Sequence, residues 1–461
     1  MQAPEMKRRE FLKATAALAA AGTITRLPAA RSQEAPQASS APGPGQFSSQ
    51  ILDGGGLFRT RRRSRLFEDI LFNYVFAVLL GSAYYKGADA GACLAIADQI
   101  VDGDRMSAFR ALAVASDRLS NIATEAEAAG NPTSARESYM HAASYIFSAT
   151  YFVNLVNAPD GFKLHWLRHQ ELWEKAAALL DPRAELLPFP YEKTTLPGYF
   201  FKVDNSGKRR PLVIVINWSD GGMPTAWAFG IAPALERGYN AYAFYGPGQG
   251  TARLQQDLYA RADWERVISP LIDYLLIRRD VDADRITLLG IGEGGYWAPR
   301  AAAFESRLGA CVADPGVWDV STAWTRSVPG PLLELLDAGK QEKFDALLRV
   351  GLRYNPRAAT ALALRMFPFG MTSPYEAFKA VQAYKLSGIA GQIRCPTLVT
   401  ESEGEQLWPG QSKLLYDALR CPKAMIKFTA SEGADSSCEP KAPGLRSQRI
   451  FDWLSEVLKR A

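Results

Sequence analysis

Gly290-Ile291-Gly292-Glu293-Gly294-Gly295 is the stretch whose reading decides the fold. It follows an apolar, strand-like run, Ile286-Thr287-Leu288-Leu289, and opens onto Tyr296-Trp297-Ala298-Pro299-Arg300, which reads as a helix. The spacing suits a sharp strand-to-helix turn, in which small residues flank one strained central position at the end of a sheet. In G-x-S-x-G turns of this kind the central serine is a nucleophile. Here the centre is Gly292, which has no side chain to attack with. Shifting the frame would centre Glu293 but place Ile291 where a small residue is needed, so the first register stands.

Outward from this turn, short apolar runs alternate with helical stretches. The runs are Gly198–Val203, Pro211–Asn217, Asn240–Phe244, Ile286–Gly290, Ala310–Ala313, Thr397–Thr400 and Ala424–Thr429. The first two flank Asn205-Ser206-Gly207, a turn signal that predicts a hairpin. Alternation of this kind predicts a mostly parallel, doubly wound α/β sheet over residues 186–461. A mostly helical insertion, about 319–393, sits where a lid would cover the carboxyl ends of the strands, the edge at which open sheets bind ligands. Residues 61–185 carry helical periodicity with no strand-like interruption and predict an all-helical N-terminal domain.

The N-terminus reads as an export signal. Lys7-Arg8-Arg9-Glu10-Phe11-Leu12-Lys13 precedes a short Ala-rich segment, as twin-arginine signals do. That segment falls well short of the roughly 20 apolar residues a membrane span requires. Residues 1–30 are therefore assigned to the signal and 31–60 to a Pro/Ser/Gly-rich linker, with a periplasmic destination expected. The five cysteines form no CxxC and no Cys/His metal spacing, so buried thiols are expected, with one bridging pair left open. A net charge of +5 on 461 residues is too mild to indicate a nucleic-acid partner. The basic run from Arg59 to Arg65 reads as a solvated helix entry.

Several segments together resemble one branch of the α/β-hydrolase superfamily. It is the branch with an N-terminal helical cap that includes 2,6-dihydropseudooxynicotine hydrolase, fungal heptaketide-shortening pigment hydrolases and the fermentation-respiration switch protein. The resemblance is carried by Gly87-Ala88-Asp89, Asp102-Gly103-Asp104, Ser134-Ala135-Arg136-Glu137 and Leu196-Pro197-Gly198-Tyr199. It continues in Gly246-Pro247-Gly248-Gln249-Gly250, Asp263-Trp264-Glu265-Arg266-Val267, the turn at Gly292, Cys395-Pro396-Thr397-Leu398-Val399 and Phe451-Asp452-Trp453-Leu454. The resemblance implies an α/β-hydrolase core beneath the helical cap and a Ser-Asp-His triad that commonly cleaves carbon–carbon bonds beside ketones. Matched position by position, the triad falls on Gly292, Glu405 and Ser437. The chain's three histidines, His141, His165 and His169, all lie in the cap region.

Carboxylates are the remaining candidates for chemistry. Glu293 stands beside the missing nucleophile at a helix N-terminus, and Glu405 and Asp435 lie on the two loops that carry the other triad positions. Carboxylates gathered under an apolar cap push their pKa values apart, giving one acid and one base. The plain alternative is that Glu293 only caps its helix. His141 and His169 are candidate acid–base partners from the cap, and Tyr145 shares a helical face with His141. The Gly-rich loop Trp218-Ser219-Asp220-Gly221-Gly222 occupies the oxyanion-loop position. Ser219 is the one serine there that could replace the nucleophile, with no base evident beside it. Tyr245, Tyr296 and Trp218 add aromatic surface suited to a flat aromatic ligand.

These readings predict an exported enzyme without cofactor or metal that cleaves a carbon–carbon bond, as a lyase or unconventional hydrolase, in an aromatic or ketonic small molecule. A binding protein that has lost its chemistry and an esterase with a relocated serine are the rivals. Expected partners are a small molecule, no nucleic acid and no membrane, with a homodimer left open. Replacing Arg8 and Arg9 together by lysine should leave the protein unprocessed inside the cell, as fractionation and the mass of the mature chain would reveal.

Overall fold

The computed structural model describes residues 65–153 and 159–459; the expected signal and linker lie outside them. Five helices come first: α1 (Ile70–Ser82), α2 (Ala90–Ala97), α3 (Arg105–Ala128), α4 (Pro132–Thr150) and α5 (Pro159–Ala178). Their starts are chemically marked. Asp69, Asp89 and Asp104 each accept hydrogen bonds from first-turn N–H groups, and Pro132 opens α4 where no donor is needed. Helix α4 buries one long face, including Tyr139, Tyr145, Phe147 and Ala149, and packs against both α3 and α5. The Ser116 hydroxyl donates to the Ala142 carbonyl (2.8 Å) and pins α3 to α4.

The ten strands are β1 (Glu185–Leu186), β2 (Phe189–Tyr191), β3 (Thr194–Leu196), β4 (Gly198–Phe201), β5 (Arg210–Ile216), β6 (Asn240–Phe244), β7 (Val281–Ile291), β8 (Ala310–Asp314), β9 (Thr397–Ser402) and β10 (Lys423–Phe428). Eight form one sheet in the order β1-β4-β6-β5-β7-β8-β9-β10, and β2 and β3 make a separate ribbon. From β6 through β10 every neighbouring pair is parallel; only β4, between β1 and β6 near one edge, runs antiparallel to its neighbours. Strands β6 and β8 are buried at all five positions, as a sheet covered on both faces requires.

One expectation fails. β4 and β5 do not form a hairpin, because β6 lies between them, antiparallel to β4 and parallel to β5. The turn around Asn205 is instead a local loop in which Asp204 accepts the Ser206 N–H (3.0 Å). A fully buried β6 needs a partner on each side, and that outweighs the local turn signal. The expected helical insertion is present between β8 and β9, in helices running from Ser321–Thr325 to Pro374–Val381. Among the described residues no helix is long and apolar enough to cross a membrane.

The turn after β7 is built from backbone packed on backbone. A Cβ at Gly294 would lie 2.2 Å from the Ile216 carbonyl oxygen, and one at Gly295 would lie 1.9 Å from that of Pro315. Gly292 takes φ +62°, which favours glycine, and its N–H donates to the Asp314 carbonyl (2.7 Å). The Asp314 carboxylate below is fully buried against Arg446, whose Nε lies 2.6 Å from Oδ2, and it also accepts from the Thr400 hydroxyl (2.5 Å). A second buried carboxyl, Glu439, accepts from the Ser402 hydroxyl (2.6 Å). Burial and the nearby Asp314 charge push its pKa well above the ordinary range. All five cysteines are free thiols; Cys93, Cys311, Cys395 and Cys438 are buried, and Cys421 is partly so.

Arg446→Met should therefore strand the Asp314 charge and cost about 3–5 kcal/mol, the scale for removing one partner of a buried ion pair. Urea unfolding at neutral pH measures the loss.

Candidate active site

The loop after β5 is held in place before any ligand arrives. The Asn217 side chain accepts from the Trp218 N–H (3.0 Å) and donates to the Gly222 carbonyl (2.9 Å), closing residues 217–222 into a tight arch. Gln249, from the loop after β6, donates to the carbonyls of Asn217 (2.9 Å) and Trp218 (3.1 Å). From the cap side, the Tyr151 hydroxyl donates to the Asp220 carbonyl (3.4 Å) and receives the Trp218 indole N–H (3.3 Å). Three separate segments thus fix Ser219 and Asp220 over the β7 turn. Gly292 makes this approach possible, since a Cβ there would stand 2.9 Å from the Trp218 Cβ.

Two small adjoining cavities lie at this point. One, about 40 Å³, is lined by Ser219, Glu293, Arg365, Trp297, Trp324 and Phe369 among others. The other, about 20 Å³, is lined by Ser219, Asp220, Tyr151, Phe162, Trp166 and Phe367 among others. Ser219, Gly248 and Pro368 border both. Glu293 is partly buried, and Asp220 is exposed on the rim of its cavity. Removal from bulk water raises the Glu293 carboxyl to about 7, the Asp220 charge adding to the shift while Ser219 and Arg365 oppose it. The protein packed around Asp220 likewise raises its carboxyl above the ordinary range, though the side chain keeps exposed surface that limits the shift. Arg365, on the lid helix Pro356–Met366, faces both carboxylates and donates to the Ala323 carbonyl (2.9 Å). A carboxylate near 7 can take a proton and return it at neutral pH.

The other candidates do not line either cavity, although Tyr74 lies within reach of the charges of both Glu405 and Asp220. Glu405 turns into its own loop and accepts from the N–H groups of Leu407 (2.7 Å) and Trp408 (3.1 Å). Asp435 pairs with Lys441 (2.8 Å), and its carbonyl accepts the Gly404 N–H (2.8 Å). The Glu405 and Asp435 loops therefore meet each other, but neither side chain lines the cavities beside Glu293. The Ser437 hydroxyl lies 3.9 Å from the Cys438 thiol. His169 is fully buried beneath the Gly222 arch between Phe147 and Trp166, with Nε2 3.5 Å from the Tyr245 hydroxyl. Burial depresses its pKa to about 3, so it stays a neutral packing group. His141 and Tyr145 face the α2 entry, where Tyr145 accepts the Asp89 N–H (3.4 Å). Tyr296 donates to the Ala262 carbonyl (3.1 Å) and packs beneath Tyr384.

Arg365, Tyr151 and the lid aromatics Trp324, Phe367 and Phe369 did not stand out in the sequence. They come from segments with no local motif and meet the β7 turn only through the fold. Ser219 has a partner the sequence did not reveal, because the Glu293 carboxylate lies 74 positions along the chain. Among the described residues no three His, Cys, Asp or Glu side chains are grouped as a metal ion would need.

Residues 5–25 match the model for the twin-arginine translocation pathway signal sequence, which marks the chain for export. Hydrolase ORFZ of Pyricularia oryzae is 32% identical over 418 residues, spanning 85% of this chain and 97% of that protein. The alpha/beta hydrolase psoB of Aspergillus fumigatus is 29% identical over 422 residues, spanning 85% and 94%. Among solved structures, the 2,6-dihydroxy-pseudo-oxynicotine hydrolase superposes with a TM-score of 0.65 at 21% identity, over 82% of this chain and 95% of that one. The structural likeness speaks to the fold alone. A relative 32% identical along nearly its whole length fixes membership, and the chain belongs to the α/β-hydrolase superfamily.

Proposed function

We propose that the protein is a periplasmic, cofactor-independent enzyme that cleaves a carbon–carbon bond next to a carbonyl in a small aromatic or ketonic molecule, with Glu293 as its acid–base group. The observation that carries this reading is a carboxyl held near neutrality in an aromatic-walled cavity, at the end of the sheet where this superfamily does its chemistry. Ionised Glu293 takes the proton of the hydroxyl that attacks the carbonyl carbon, and protonated Glu293 returns it to the carbanion that leaves. Arg365 offsets the negative charge that builds on oxygen during this step. Asp220, with a lower pKa, ionises first, and its charge keeps Glu293 basic. Tyr151, Phe162, Trp166 and Phe367 supply flat apolar walls.

Among the residues lining the two cavities Arg365 is the one cation, which disfavours a polyanionic, phosphorylated substrate. Glu405 acts within its own loop in this reading and orients Trp408, not the substrate.

Two outcomes follow from the raised carboxyls. In a panel of aryl 1,3-diketones and aryl ketones, kcat/KM for the best substrate should rise with pH through an inflection near 7, as Glu293 ionises. Glu293→Gln should lower turnover by about 10² or more and abolish that inflection, with KM little changed. Full activity in that variant would reduce Glu293 to a helix cap, and saturable binding with no turnover across the panel would make the protein a binder. Stability should move oppositely to activity. Because Glu293 and Asp220 bind protons more tightly folded than unfolded, their contribution is complete below the ordinary carboxylate range and is lost as pH rises through 6 to 7. Thermal melts of wild type and Glu293→Gln between pH 5 and 8 measure the difference.

A further inference from the structure

We propose that Ser219 is the covalent nucleophile of this site and that Glu293 is its base, a pairing assembled across two loops in place of the side chain missing at Gly292. The inference rests on the reading of Glu293 given above. Three features of the fold lead to it. Ser219 and Glu293 line the same cavity, and Ser219 borders both cavities, the position from which a hydroxyl reaches any ligand that spans them. Within the cavity they share, Ser219 favours the ionised form of the Glu293 carboxyl. The space beside Gly292 is taken by Trp218, the residue that carries Ser219 toward the turn; a Cβ at 292 would meet the Trp218 Cβ at 2.9 Å.

The arch that holds Ser219 is also rigid in the way a nucleophile needs. Asn217 and Gln249 bind the chain on both sides of it, and Tyr151 closes it from the cap. Ser437, the other serine near the triad positions, has only the Cys438 thiol against its hydroxyl and no carboxylate to take its proton. A serine facing a carboxylate that titrates near neutrality needs no histidine, because the proton acceptor is already in place.

The steps balance without any further reagent but water. The Ser219 Oγ bonds to the substrate carbonyl carbon while its proton passes to Glu293, and the carbonyl pair moves onto oxygen beside Arg365. Collapse of that oxyanion breaks the bond to the leaving carbon, which takes the proton from Glu293. Water then attacks the acyl carbon and yields a proton to Glu293. The C–Oγ bond breaks, Ser219 recovers its proton, and a carboxylic acid leaves. An ester would follow the same course with oxygen as the leaving atom, so activated aryl esters serve as probes.

The test has two readouts on the exported, processed protein. Phenylmethylsulfonyl fluoride at pH 8 should add one sulfonyl group, located by peptide mass spectrometry on Ser219, and Glu293→Gln should slow the addition by about 10²-fold. Ser219→Ala should hydrolyse p-nitrophenyl acetate and the best diketone at least about 10²-fold more slowly than wild type, with an unchanged melting temperature. Ser219→Cys, which keeps a nucleophile, should retain a burst of p-nitrophenol and a thioacyl adduct. Absence of the adduct from Ser219, or full turnover by Ser219→Ala, overturns the proposal. If Ser219→Ala stays active while Glu293→Gln does not, the nucleophile assignment falls and the acid–base reading survives. If both variants stay active, both fall.

Discussion

One buried guanidinium ties together the parts on which the site depends. Arg446, on the C-terminal helix, pairs with Asp314 at the end of β8 and donates to the Phe229 carbonyl (2.7 Å) beneath the sheet. Asp314 in turn accepts the Gly292 N–H through its carbonyl and the Thr400 hydroxyl through its carboxylate. Strands β7, β8 and β9 are thereby clamped at the very end where the turn departs. An ion pair in the interior gains little net stability, and its usual worth is in fixing one arrangement among several. Here the arrangement fixed is the path of residues 290–295.

The cavity above follows a different electrostatic rule. Asp314 has a full partner, whereas Glu293 and Asp220 share a single facing cation, Arg365, whose own environment disfavours its charge. Two carboxyls with one incompletely solvated arginine cannot both be comfortably ionised, so their pKa values climb toward neutrality. The contrast separates a fully paired, buried ionic cluster from an incompletely paired, partly exposed one within a single chain.

The fold was legible because its signals are local. Four glycines in the six residues 290–295, set between an apolar run and a helix, reflect backbone contacts too close for any Cβ, and that is visible in the residue types themselves. The edge of the sheet was less legible. The turn signal at Asn205 is real, yet whether β4 pairs with β5 depends on where a strand more than thirty residues later inserts. The site was legible in part for the same reason. Glu293 in the turn and Ser219 and Asp220 in the Gly-rich loop could be named beforehand, but Arg365 comes from the helical insertion, where no local motif marks it. Glu405 and Asp435, which the triad pattern singles out, meet at a different junction, because that pattern marks loop positions and not side-chain directions.

Free thiols in an export-bound chain carry a consequence of their own. Proteins sent by the twin-arginine route acquire their fold before they leave a reducing compartment. A chain that closes its core with hydrophobic packing and one buried ionic clamp, and leaves all five sulfurs unpaired, has nothing to complete after crossing. Its folded form is then indifferent to the redox poise on either side. Oxidation after export would meet four thiols shielded in the interior and one, Cys421, within partial reach.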